Sequence, residues 1–169
     1  MYITQINYKM TIEQILDISN YATKERINRR KGGKVNSQEF FTPYEIVKKM
    51  CDKVSDEDWK DPTKTFVEPS FGNGQFILYI IYKRLHSRVD WKTTLETLYG
   101  VELMEDNVQE CKERILNLLD ALQIKYDKEL ALQIMDRNLI CHDFFTWNFE
   151  EWRPCTEDEL KKLKIKTKK

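Results

Sequence analysis

Two glycines, Gly72 and Gly74, stand between a short apolar run and a longer one in FVEPSFGNGQF, Phe66 to Phe76. A glycine pair at a strand-to-helix turn lets backbone approach a ligand where a Cβ would clash. The helix after it aims free N–H groups and a partial positive charge into the same space. Taken alone, the turn equally fits a tight connection with no ligand. The dinucleotide pattern G-x-G-x-x-G is not met, because Ile77 holds its third position.

Two further positions carry matching chemistry. Glu102 ends the run LYGVE, 28 positions after Gly74. An acid at the end of the second strand of a doubly wound sheet accepts hydrogen bonds from ribose hydroxyls, although acids also favour helix N-termini for their own sake. Asp143 closes a third apolar run, ICHDFF. A carboxylate there can accept from an exocyclic amine while Phe144 offers a ring face to adenine; by itself Asp143 also reads as a turn or cap residue. Three strand ends, each with a group suited to one part of an adenosine, together point to an adenosine-type cofactor. The crevice at the carboxyl ends of the strands is where open α/β sheets bind ligands.

The elements that must position these groups are legible from period and caps. Thr11 and Gln14 form a capping box ahead of Ile12, Ile15, Leu16 and Ile18, predicting a helix from about Ile12 to Arg29, ended by Gly32-Gly33. In FTPYEIVKKMCDKV, Thr42 is the expected N-cap, Pro43 the first helical residue and Glu45 the third. Ile46, Val47, Met50, Cys51 and Val54 mark its apolar face. After Asp61-Pro62, KTFVEP reads as a strand, GQFILYIIYKRL as a helix against a sheet, TLYGVEL as a strand, MEDNVQECKERILNLLDAL as a long amphipathic helix and NLICHDFF as a third strand. Thr156 and Glu159 form another capping box, starting a short basic helix. Alternating strands and helices spell βαβ units and a parallel α/β sheet. The expected organisation is an N-terminal helical segment over 1–38, a cofactor-binding domain over 39–150 and a basic helix or tail over 151–169.

Composition narrows the class. The chain has 169 residues, 41% apolar and 33% charged, as a globular single domain does. No apolar run approaches the roughly 20 residues that span a bilayer, and no signal-peptide pattern opens the chain. Cys51, Cys111, Cys141 and Cys155 are widely spaced and the histidines are only His86 and His142, which argues against a metal site and for reduced thiols in the cytoplasm. Formal net charge is zero, yet Lys24–Lys34 carries six basic residues and one acid, and Lys161–Lys169 six lysines. Arg26, Arg29, Arg30, Lys31 and Lys34 suit DNA phosphates, and equally suit the C-terminal dipole of an exposed helix. The lysine tail reads as a solvated end. The four tryptophans, with Tyr79 and Tyr82, read as packing residues.

FVEPSFGNGQF resembles the S-adenosylmethionine loop of amino-group DNA methyltransferases, of the form acid-Pro-x-x-Gly-x-Gly-x-Phe. YGVELMEDNVQECKERI resembles the second motif of that family and CHDFF the third. EFFTPYEIVKKMCDKV resembles the F-x-T-P segment preceding the loop in the gamma-type and type I restriction-modification enzymes that methylate adenine. The likeness covers roughly Glu39 to Phe145. It implies a Rossmann-like fold and S-adenosylmethionine as cofactor. Phe41, Thr42 and Pro43 would lie over its methionine end, Glu68, Ser70, Phe71, Gly72, Gly74 and Phe76 would form its loop, Glu102 with Leu103 would hold its ribose, and Asp143 with Phe144 would meet its adenine.

One part of that family's pattern is missing. An [N/D/S]-P-P-[Y/F] loop on the fourth strand accepts from the target amino group and stacks on a flipped base. No such tetrapeptide occurs here, so no catalytic residue is assigned. The expectation is therefore a truncated fold of about three parallel strands: a short or split DNA adenine methyltransferase, or a non-catalytic binding or interaction module derived from it. In the family's sheet order the first strand would then have an open apolar edge. That edge calls for a second copy, a partner subunit, or cover by the segment carrying Trp147, Phe149 and Trp152.

Overall fold

The computed structural model describes Leu16 and residues 42–166, with side chains described as far as Leu163. The helix expected over Ile12–Arg29, the basic residues Arg26, Arg29, Arg30, Lys31 and Lys34, and Phe41 lie outside the described residues, Leu16 excepted. In chain order the elements are α1 (Tyr44–Cys51), α2 (Asp56–Lys60), β1 (Phe66–Glu68), α3 (Gln75–His86), α4 (Trp91–Glu96), β2 (Leu98–Glu102), α5 (Glu105–Ala121), α6 (Lys128–Asn138), β3 (Leu139–Cys141), a 3₁₀ turn (Phe144–Thr146), β4 (Trp147–Asn148), β5 (Arg153–Pro154) and α7 (Glu157–Lys166). The fold is mixed α/β, with helices flanking a three-stranded parallel sheet.

The sheet order is β1-β2-β3, with Phe66 opposite Leu98, Gly100 opposite Leu139 and Glu102 opposite Cys141. Side chains alternate between faces along a strand, and residues opposite each other share a face. Phe66, Leu98 and Leu139 therefore point to one face, where they join the main core with Ile77, Leu78 and Ile81 of α3 and Ile115, Leu118 and Leu119 of α5. Leu16 is buried in the same core. Val67, Tyr99, Val101 and Ile140 point to the other face. There Trp152 packs edge-on against Tyr99, with ring centroids 4.9 Å apart, and Trp147 packs against Trp152.

Several expectations change at this level. The C-terminal aromatic segment covers the outer face of the middle strand rather than the β1 edge: Trp152 also donates its indole N–H to the Arg137 carbonyl at 3.0 Å. Val67 stays 51% exposed on β1, an edge strand among the described residues. Helix α1 begins one residue later than its cap signal implies, with Pro43 rather than Thr42 at the N-cap and no side-chain cap. Its buried stripe is Val47 and Cys51, while Ile46 and Met50 are about half exposed, because α1 lies on α3 through one narrow face. Helices α2, α4 and α6 add to the expected set. Each has an N-cap acceptor, Ser55, Asp90 and Asp127, taking the N–H three residues on. The Thr156–Glu159 capping box forms in both directions, at 2.6 and 3.4 Å.

One buried cation fixes the approach to β1. Arg84 of α3, fully buried, donates to the Asp61 carbonyl at 2.6 Å and to Thr97 Oγ1 at 3.1 Å. The loop entering β1 is thereby tied to the loop entering β2, where its exposed carbonyls would otherwise need water.

Candidate functional site

The glycine turn takes the backbone form its sequence demands. Gly72 has φ +55° and Gly74 φ +96°, in the region where L side chains are strained. The turn closes with Gly74 N–H on the Phe71 carbonyl at 2.8 Å, and Gly74 then serves as N-cap of α3 with no side-chain cap. The first N–H groups of α3 thus have no side-chain acceptor of that kind. The two glycines are needed for different reasons. A Cβ on Gly74 would overlap Cys111 Sγ of α5, so its smallness serves the contact between two helices. Gly72 is half-buried, and its left-handed backbone aims its N–H at the end of β2.

Glu102 joins this turn to β2. Its Oε2 accepts the Gly72 N–H at 2.8 Å, and its Oε1 accepts the Met104 N–H at 3.0 Å and the Asn107 side-chain amide at 3.3 Å. Three donors on a 6% exposed carboxylate answer the cost of taking that charge out of water. A carboxylate has about four acceptor sites, so capacity for a further donor remains. The turn is also held from beneath. Asn73, fully buried, donates to Glu110 Oε1 at 3.0 Å and its carbonyl accepts from Arg114 at 2.8 Å. Asn107, Glu110 and Arg114 succeed one another along a single side of α5; Asn107 bonds Glu102, and Glu110 and Arg114 bond Asn73 of the turn.

The third strand end lies next to the second. The His142 N–H bonds the Glu102 carbonyl at 2.9 Å, which sets Asp143 beside β2. The exposed Asp143 carboxylate caps the 3₁₀ turn, accepting the Phe145 N–H at 2.9 Å. Phe144 is 40% exposed and Phe145 78%, with ring centroids 5.2 Å apart. Leu103, at the end of β2, is 65% exposed.

The remaining described candidates divide between the surface and the core. Glu68 ends β1 half-buried, and burial raises its carboxyl above the ordinary glutamate range, with the Ser70 N–H opposing. Ser70 and Pro43 are exposed and Thr42 half-buried. The Phe71 ring is buried, seated where a Cβ on Gly100 would come within 2.6 Å of it, so its side chain belongs to the core. Phe76 is half-buried against the core. Asn107 and Arg114 support the candidate site without being marked by the motifs. Their only local signal is polar residues on the stripe of α5 that should be apolar, at the spacing of its core positions.

Gly72, Glu102 and the Asp143–Phe144 turn thus make one candidate cup at the carboxyl ends of the strands: a buried carboxylate, a glycine turn bonded to it, and a part-exposed aromatic ring. Among the described residues no group of three or more His, Cys, Asp or Glu could hold a metal ion, and no helix is long and apolar enough to cross a membrane. No family model, curated protein or solved structure matches the chain.

Proposed function

We propose that the cup at the carboxyl ends of β1, β2 and β3 binds S-adenosylmethionine, and that the chain is the cofactor-binding half of a DNA adenine N6-methyltransferase-like protein. The observation that supports this best is the Glu102 carboxylate, buried at the end of β2 and tied to the glycine turn through the Gly72 N–H. That pairing puts a sugar-reading acid beside the backbone that would meet the amino-acid tail. Glu102 and Leu103 would hold the ribose, Asp143 and Phe144 the adenine, and Thr42 with Pro43 the methionine end. Such a cofactor supplies a methyl group for an exocyclic amine; binding and orienting it is the part assigned to these residues.

A second reading, a non-catalytic binding or interaction module on the same frame, is favoured by the architecture after β3. Residues 147–166 form an antiparallel hairpin and a helix, none of them joined to the β1–β3 sheet. In that reading the β1 edge, unpaired among the described residues, is where a partner would join.

Titration calorimetry with S-adenosylhomocysteine and with NAD tests the cofactor. Binding of the first and not the second is expected; binding of NAD alone, or of neither, overturns the proposal. Methyl transfer from labelled cofactor to DNA then separates the two readings, since activity of the chain alone excludes the second.

A further inference from the structure

Asn107 is 1% exposed and sits in the first turn of α5, facing Glu102 rather than solvent. Its side-chain amide donates to Glu102 Oε1 at 3.3 Å, and the Met104 N–H donates to that same oxygen at 3.0 Å. The other oxygen, Oε2, meets the Gly72 N–H at 2.8 Å. A glutamate side chain has three rotatable bonds, and its carboxylate can present either oxygen, or swing clear, unless donors fix it. Here the two donors on Oε1 come from the rigid start of α5, whereas the donor on Oε2 comes from a glycine turn. The acid is therefore held through two donors on the helix side and through one on the turn side.

We propose that Asn107 is a positioning residue for ligand recognition by Glu102. It pins Oε1 against α5, so that Oε2 and its spare acceptor site face the cup. The inference rests on the reading of Glu102 as the ribose-binding acid, and it assigns the selectivity for a hydroxylated sugar to a pair of residues rather than to one. An apolar side chain at position 107 removes one of three donors from a buried charge and frees the carboxylate to rotate. An aspartate of the same shape sets a second negative charge against the first.

The test is a double-mutant cycle on S-adenosylhomocysteine affinity, measured by calorimetry on the full chain with Asn107→Leu, Glu102→Ala and the double variant. Loss of a hydrogen bond to a charged group predicts affinity weaker by about tenfold for Asn107→Leu alone. In the Glu102→Ala background the same change should have almost no further effect, because the route through Glu102 is gone. The 2′-deoxyribose analogue gives a second readout: its disadvantage against the ribose ligand should shrink in Asn107→Leu. Amide hydrogen exchange at Gly72 and Met104, without ligand, should quicken in the same variant. Asn107→Asp, which keeps the side-chain shape, replaces the leucine variant should that one not fold, and should lose more affinity.

Additive losses in the cycle, or an unchanged ribose preference, overturn the positioning role while leaving S-adenosylhomocysteine binding in place. If the unaltered protein binds no S-adenosylhomocysteine, the reading of the cup fails and this inference with it. Unchanged exchange at Gly72 and Met104 in the Asn107 variants counts against the clamp whatever the ligand.

Discussion

Gly74 and Cys111 meet so closely that a Cβ built on Gly74 would overlap the Cys111 sulfur, although 37 positions separate them in the chain. The second glycine of the turn is thus a packing residue, letting the start of α3 rest on α5. Gly74→Ala would add both that overlap and the cost of φ +96°, and should lower stability by about 2 kcal/mol or more. Thermal melts of Gly74→Ala and of Gly74→Ala with Cys111→Ala check this. The second change should recover the steric part only. An alanine at 74 with an unchanged melting temperature would remove the packing explanation.

Arg84 holds the entry to β1 by its hydrogen bonds to the Asp61 carbonyl and Thr97 Oγ1. Arg84→Met keeps most of the buried volume and leaves those acceptors without their charged donor. Chemical denaturation should show a loss of roughly 2–3 kcal/mol, the worth of a hydrogen bond to a charged group. A loss no larger than that of an exposed substitution would mean water replaces the guanidinium.

The Glu68 carboxyl gives stability a pH dependence of known sign. Burial raises its folded-state pKa above the unfolded value, so the native state holds the proton more tightly. Its contribution is then most favourable below the ordinary glutamate pKa of about 4.3 and is lost as pH rises through the folded value. Glu68→Gln should accordingly raise the melting temperature at neutral pH, with the gain vanishing in acid. A stabilisation equal at both pH values points to packing instead.

Cys141 is exposed, yet its thiol is pushed up to about 11, first by partial burial of the sulfur and then by the Glu105 carboxylate. At mildly alkaline pH its alkylation should be on the order of 100-fold slower than that of an ordinary accessible thiol, since the thiolate is the nucleophile. Peptide mapping after iodoacetamide treatment distinguishes it from Cys155. Glu105→Gln should quicken the reaction at Cys141, and an unchanged rate would show that the carboxylate has no part in it.

Val67 leaves the outer face of β1 apolar beside the unpaired backbone of what is an edge strand among the described residues, and such an edge is a surface for another strand. Sedimentation velocity of the unaltered protein should show self-association, or association with a partner subunit when one is supplied. Val67→Lys should shift the distribution toward monomer without lowering the melting temperature. A protein that is monomeric at every concentration and takes no partner contradicts the edge as an interface.

Much of the layout is legible in the residues themselves. The three strands fall within the runs KTFVEP, TLYGVEL and NLICHDFF, the third strand ending at Cys141, two residues before the expected Asp143, and both N–H bonds of the Thr156–Glu159 box form as the sequence spells them. Gly72 is in the left-handed conformation that its place in the turn implies. Helices α2, α4 and α6 are missed by the strand-and-helix alternation, although for α6 Asp127 offers a cap and Ala131, Ile134, Met135 and Asn138 recur at helical spacing. The buried face of α1 is narrower than its apolar residues suggest, since a sequence shows which residues are apolar but not how thin a strip α3 covers.

What the sequence settled by itself are the features decided within a few residues: caps, turns, the period of each segment and hence a parallel α/β order. Those depend on backbone sterics and on hydrogen bonds within a turn of the chain. Tertiary structure alone decided that Glu102 reaches Gly72, that Glu110 and Arg114 hold Asn73 of the turn from below, that Gly74 belongs to Cys111, and that Trp152 covers Tyr99 and leaves Val67 bare. These are contacts between groups far apart in sequence. Each depends on the angle at which whole elements pack, which the burial of the entire core fixes at once and no local pattern encodes.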